Sequence, residues 1–428
     1  MTDDGIHQEI DERSAAVESQ VIAWRHHLHQ HPELSNREAA TAELIADRPT
    51  APGLDEVRTG ISGHGVVGVL RGGRPGERVV ALRADIDALP VKEDSGEPFA
   101  STVVDQDHPG GPFPVAHACG HDGHTAMLLG AANVLAGVRA ELPGTVLFVF
   151  QPAEEGAPVD ERSGAKEMLA EGACDDPRPT MAFGMHLGPL PTGYVGYRVG
   201  NQFGASCLIK IVLSGEQVHG STPWMGVDPV PAAGSIMVGV GQLYRQVSAF
   251  DPITVTIGHV EDVGRFNIVP GTVTPWGTIR CAAEEDMGEV QKRPTTLAEL
   301  TAAAYGCTAE VSYLQDVPAV HNRREWVDAV LPTFERVVGD RLFESTPTLG
   351  YDDVSEFVNA YGGVYVMLGA QDGTLDGNGR PVPTPGGRGF VPNHDPKFYL
   401  EDAALVTGVR LHCHVAVDHL NGDLLPGS

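Results

Sequence analysis

RVVALRADIDALP, residues 78–90, decides the fold. Its opening run, residues 78–83, lacks the polar alternation of a half-solvated strand and reads as a strand buried on both faces of a parallel sheet. The run passes into Ala84-Asp85-Ile86-Asp87-Ala88-Leu89-Pro90. Two carboxylates therefore stand just beyond a buried strand, where open α/β sheets hold their ligands. A capped turn explains the same pair locally, so the neighbouring strands carry the decision.

Residues 144–150 (GTVLFVF) repeat the pattern and run into Gln151-Pro152-Ala153-Glu154-Glu155-Gly156. Residues 180–185 (TMAFGM) end at His186. Three buried-type strands that each finish in acidic or imidazole groups are not a chance arrangement. Residues 65–71 (GVVGVLR) and 363–368 (GVYVML) extend the same sheet. Helices are expected at residues 8–30, 36–48, 324–338, 356–361 and 400–420, the first with Ile10, Val17, Val21, Trp24 and Leu28 along one face. His26, His27, His29 and His31 look like a metal tract but read as a solvated helix end running into Pro32. The Gly/Pro-rich connection 370–392 is long for a compact domain and leads to Asn393-His394-Asp395-Pro396.

Between these stretches the pattern changes. Strands at 205–213, 252–260, 273–281 and 308–314 alternate with helices at 229–247 and 296–305, with Pro294 expected to delay or kink the second helix. That βαββαβ order is a ferredoxin-like unit with an antiparallel sheet. The expected architecture is α/β: a mostly parallel-sheet catalytic domain at 1–203 and 318–428, with an inserted α+β lid or dimerisation domain at 204–317.

The densest chemistry lies in His117-Ala118-Cys119-Gly120-His121-Asp122-Gly123-His124. Cys119 and His121, two apart, can face one cation on an extended or turning chain. Helical register would separate them by about 200°. Residues 125–136 (TAMLLGAANVLA) read as a buried helix, so the cluster is placed in the loop before it; a His-rich turn is the alternative. Cys119, His121, Glu154, Glu155, His186 and His394 are the candidate set. A structural zinc would use four closely spaced ligands in a cysteine-rich module, whereas these come from distant strand ends. They exceed the needs of one tetrahedral ion, which points to a metal pair. Adjacent glutamates can divide two tasks, Glu155 as ligand and Glu154 as the unbound acid/base that takes a proton from water and returns it to the leaving amine. An ordinary acidic turn is the alternative.

Here a resemblance emerges. HQHPELS, ADIDALP, HACGHDGH, QPAEEG, GMH, HGSTPWMGVDP and PNHDPKF occur in the order found in the aminoacylase/carboxypeptidase family of di-metal peptidases, and the chain is most similar to its amidohydrolase branch. The resemblance implies a dimeric hydrolase of N-acyl amino acids, with two divalent ions (Zn, Mn, Co or Ni) per subunit. It implies Cys119, His121, Glu155, His186 and His394 as metal ligands, Glu154 as catalytic base, and Asp87 as a residue that orients a ligand. His219, in a segment similar to the family's GxxxHxxxP, would steady the oxyanion, and Asn267 and Arg280 would hold the substrate carboxylate. By itself, a lone His after a strand is more often structural, and an Arg in a strand is equally explained by a surface salt bridge. The chain departs from the branch at Leu187-Gly188-Pro189, at residues 350–355 (GYDDVS) and in the 370–392 connection, which leaves acyl-group preference open. A dipeptidase or carboxypeptidase on the same site is the second enzymatic reading, and a non-catalytic metal-dependent binding protein a third.

Composition bounds the rest. The 428 residues suit two or three domains at ~150 residues each. The formal charge of −28 speaks against nucleic acid and anionic membranes as partners. The six cysteines are scattered, with no CxxC pair, and a reducing compartment suits them. The acidic start MTDDGIHQEIDERSA is unlike a signal peptide, and no apolar run approaches the ~18 residues of a spanning helix. A cytoplasmic enzyme is expected, and no GxSxG elbow suggests a serine hydrolase.

Overall fold

A computed structural model describes residues 3–47, 53–248, 250–262 and 264–424. The chain forms two compact units. The first holds everything through Gln202, then His321–Thr346, then the chain from Asp353; the second holds Phe203–Val320 and Pro347–Asp352. The expected inserted segment, 204–317, nearly coincides with the second unit, which also takes in Pro347–Asp352 from later in the chain.

Among the described residues the first unit carries an eight-stranded sheet. Its centre is parallel: Pro143–Gln151, Arg74–Asp85, Met181–Pro191 and Gly363–Gln371 lie side by side in that order. Gly65–Arg71 and Glu56–Ile61 continue it antiparallel beyond Pro143–Gln151. On the other side the short Val195–Tyr197 and Leu342–Glu344 close it. The central strands are buried because both faces are covered. Helices Asp3–Gln30, His121–Gly137, Arg324–Val338 and Leu405–Asn421 share one core with Val80, Leu82, Val146, Phe148, Phe183 and Val366. A second cluster, with Val79, Ala81, Leu147, Val149, Met168 and Phe357, fills the opposite side. Continuous apolar strands are the sequence consequence of that two-sided burial.

The second unit is a four-stranded antiparallel sheet in the order Ile253–Asp262, Thr272–Cys281, Ala205–Ser214, Thr308–Val317. Helices Pro229–Val240 and Met287–Ala304 pack with it around Ile209, Ile211, Ile236, Ile279 and Ala298. This is the ferredoxin-like arrangement.

Several boundaries differ from expectation for physical reasons. The helix expected at 296–305 begins at Met287 and runs through Pro294, whose ring is buried, so apolar packing outweighs one missing backbone hydrogen bond. The strand expected to stop at residue 185 continues through His186 to Pro191, paired with Gly363–Gln371. The 370–392 connection contains a small hairpin, Gly373–Leu375 with Pro381–Pro383. The last helix begins at Leu405, after a single turn at Asp402–Ala404.

Candidate metal centre

The centre sits at the carboxyl ends of the parallel strands. Arg74–Asp85 delivers Asp85 and, just beyond it, Asp87; Pro143–Gln151 delivers Glu154 and Glu155. Met181–Pro191 carries His186 within the strand, opposite Met367. Cys119 precedes helix His121–Gly137, which starts four residues earlier than expected. Gly120, at φ 95, makes the turn between them, so the helical-register separation never applies to this pair. His394 enters from the long connection with φ 71, and its backbone N–H donates to Ala118 O at 2.7 Å.

These side chains converge. Candidate ligand atoms of Cys119, His121 and His186 lie within 4.8 Å of one another, as do those of Cys119, Glu155 and His394, and of His121, Glu154 and Glu155. Cys119 Sγ is 3.5 Å from His186 Nε2, and His394 Nε2 is 3.2 Å from Glu155 Oε1. His186 directs its other nitrogen, Nδ1, to Leu187 O at 2.7 Å. His121 does the same with Asp87, so its Nε2 stands 3.7 Å from Asp85, 3.8 Å from Glu154 and 3.9 Å from Glu155. Those spacings are too long for hydrogen bonds. Among the described residues His121 Nε2 is buried with no hydrogen-bond partner, a costly state for a polar atom that a cation relieves. Thiol, imidazole and carboxylate donors around one point suit divalent transition metals.

Burial and crowded carboxylates set the electrostatics of the site. Burial, reinforced by Glu155 and Glu154, pushes the Cys119 thiol well above its ordinary range. Burial alone would lower His121, but Asp85 and Asp87 outweigh it and lift the imidazole to about 10. His186 is held well below its usual value by burial and by the neighbouring His124.

Several groups at the centre carry no assignment from sequence. His124 belongs to the opening octapeptide, yet its Nδ1 meets Asp85 Oδ1 at 2.5 Å and its Nε2 accepts from Leu187 N at 2.8 Å, so both nitrogens are committed. Arg83 grips Asp85, Gln151 and Asp353 beneath them. Asp87 Oδ2 accepts from Ser35 Oγ at 2.7 Å and from Glu155 N at 3.0 Å. Glu38, fully buried, accepts from Ala153 N at 2.8 Å and fixes the turn before Glu154. His29 corrects the reading of the first helix: it is buried between Asp122 and Glu93, 2.9 Å from each, while His27 and His31 are exposed as expected.

His219, Asn267 and Arg280 lie in the second unit. Gly220 N donates to Asn267 O at 2.9 Å, which sets the His219 and Asn267 segments side by side. His219 Nδ1 accepts from Ser221 N at 3.0 Å, leaving Nε2 as the protonated, exposed nitrogen. Arg280 lies over the Tyr351 ring at 4.4 Å.

Comparison with known proteins fits this chemistry. The chain is 32% identical over 423 residues to IAA-amino acid hydrolase ILR1-like 2 of Arabidopsis thaliana, covering 97% of this chain and 89% of that protein. It is 31% identical to N-acetylcysteine deacetylase of Bacillus subtilis, covering 94% and 97%. The solved structure of the Bacillus subtilis YXEP protein, a dinuclear metal binding peptidase of the M20 family, superposes with a TM-score of 0.72 at 30% identity, covering 95% and 99%. Residues 81–418, a span that takes in every side chain of the cluster, match peptidase family M20/M25/M40, so the chain belongs to that family and is a metal-dependent amide hydrolase.

Proposed function

We propose that this protein hydrolyses the amide bond of N-acyl amino acids. Cys119, His121, Glu155, His186 and His394 would hold two divalent ions, with Zn, Mn, Co and Ni as the candidates. Bound there, the ions supply Lewis acidity toward a carbonyl oxygen and toward water. Glu154 takes the proton from the attacking water on a carboxylate oxygen and delivers it to the departing amine nitrogen. Asp87 fixes His121 through Nδ1 and keeps Nε2 directed inward. His219, protonated on Nε2, donates to the developing oxyanion, and Asn267 and Arg280 take the substrate carboxylate.

The observation that carries this reading is the convergence of Cys119, His121, Glu155, His186 and His394 in overlapping groups of three, with buried His121 Nε2 lacking a hydrogen-bond partner among the described residues. The names of the relatives, an auxin-conjugate hydrolase and an N-acetylcysteine deacetylase, support acyl-amino-acid substrates. A homodimer is part of the reading. The second unit exposes Trp224, Met225, Phe250, Phe266 and Leu300, and its edge strand Ile253–Asp262 borders the sheet. All six cysteines are free, which agrees with a reducing cytoplasm; no helix among the described residues is long and apolar enough to cross a membrane.

The decisive test is a library of N-acetyl, N-benzoyl and dipeptide substrates offered to metal-free protein refilled with each ion in turn. Turnover of the acylated amino acids above the dipeptides is expected. Preference for dipeptides would move the assignment to a dipeptidase.

A further inference from the structure

One side-chain amide touches three of the segments that build the centre. Asn393 immediately precedes His394. Its Nδ2 donates to Cys119 O at 3.1 Å and Leu187 O at 3.3 Å, and approaches Cys119 Sγ at 3.7 Å. Leu187 O is the same acceptor that receives His186 Nδ1 at 2.7 Å, so the amide and the imidazole are oriented by one carbonyl. The left-handed backbone of His394, rare for a residue with a side chain, persists only where its surroundings over-determine it. Its N–H bond to Ala118 O does part of that, and Asn393 anchors the chain one residue earlier.

Gly188 lies beside this amide, and its tight neighbour is Met367. A Cβ at that position would stand 2.9 Å from Met367 Cε and 4.0 Å from Asn393 Oδ1. An N–H directed at a thiolate withdraws charge from sulfur, and such outer hydrogen bonds tune both the affinity and the electronic character of a metal site.

We propose that Asn393 is a positioning residue for the metal pair. Its amide clamps the Cys119 and His186 segments to the His394 turn and donates to the Cys119 sulfur, setting how much charge that sulfur offers a cation. This rests on the reading of Cys119, His186 and His394 as ligands, and its test separates the two. Metal-free wild type, Asn393→Leu, the isosteric Asn393→Asp and Cys119→Ala are each titrated with Co(II), following the sulfur-to-cobalt charge-transfer band.

Wild type is expected to develop the band and Cys119→Ala to lack it. Both Asn393 variants should bind Co(II) roughly 10–100-fold more weakly, with the band shifted to lower energy. Thermal unfolding of the metal-free variants reports separately what the lost backbone contacts contribute to the fold. Unchanged affinity and band position in both variants overturns the role of Asn393 while the ligand set stands. A wild-type spectrum without the band, or one indifferent to Cys119→Ala, overturns the ligand set and this proposal with it.

Discussion

His121 faces Asp87 with its Nδ1, 3.1 Å from the carboxylate Oδ1 and 3.0 Å from the backbone carbonyl. Both partners are acceptors, so Nδ1 keeps its proton toward Asp87 and Nε2 is the nitrogen that faces the centre, available to a cation once its own proton leaves. Asp87 is itself fixed by Ser35 Oγ and by Glu155 N. Asp87→Ala should weaken metal binding by about 10–100-fold, as losses of orienting carboxylates behind a ligating histidine do. Ser35→Ala should show a smaller effect in the same direction. Competition with a chromophoric chelator reads both, and unchanged affinity in Asp87→Ala would remove Asp87 from this role.

Glu154 and Glu155 are neighbours in sequence with different surroundings. Glu155 Oε1 reaches His394 Nε2 and its backbone N–H is held by Asp87, whereas Glu154 Oε2 faces His121 Nε2 at 3.8 Å. Glu154→Gln keeps the shape and removes the proton acceptor. Turnover should fall by about 10²–10⁴-fold, the usual range for a positioned acid/base, with metal content by elemental analysis unchanged. Glu155→Gln should instead lose metal. If both variants lose metal equally, the division of roles is wrong.

Behind the centre, Arg25 joins buried Asp122 at 3.0 Å and Asp402 at 2.7 Å, and Asp122 also takes His29 Nδ1 at 2.9 Å. Arg25→Met leaves buried Asp122, one residue from His121, with His29 as its remaining ionic partner. Breaking such a pair costs about 3–5 kcal/mol, measurable by urea unfolding. Arg25→Lys should recover only part of this, because a single ammonium does not reproduce the guanidinium fork. Equal stability of Arg25→Met and wild type would show that His29 alone satisfies Asp122.

Asp85, Asp87, Glu154, Glu155 and His186 were legible because each follows or sits in an apolar strand whose burial is written in consecutive residues. What escaped sequence reading depends on partners far along the chain. Ser35 has no meaning until Asp87 stands beside it, and His29 looks solvated until Asp122 and Glu93 close around it. The polar start of helix His121–Gly137 reads as a loop in the sequence because its buried charge is neutralised by Arg25, nearly a hundred residues earlier. Asn393 acts through backbone carbonyls, which no side-chain pattern announces.

The last helix, Leu405–Asn421, carries two histidines that make acid stability testable. Burial, with the nearby His124 adding to it, holds His412 down to about 3, edge-on to Phe183 with ring centroids 5.5 Å apart. Burial, with Arg78 adding to it, holds His419 down to about 4, although Leu424 opposes this. His419 Nε2 lies 2.8 Å from Thr180 Oγ1, and its ring leans on Trp326. Both folded values lie below the ordinary 6.5, so between these limits the unfolded chain binds more protons than the folded one. Their contribution is therefore fully present above pH 6.5 and is lost as pH falls toward 4 and then 3. Each histidine should cost about 1.4 kcal/mol of stability on going from pH 7.5 to 5.5. Urea unfolding of the metal-free protein, with chelator present, isolates this from acid loss of metal. His412→Leu should show a pH dependence shallower than wild type by about that amount. An identical pH dependence in the variant would mean that His412 takes up its proton over the same pH range in the folded chain as in the unfolded one.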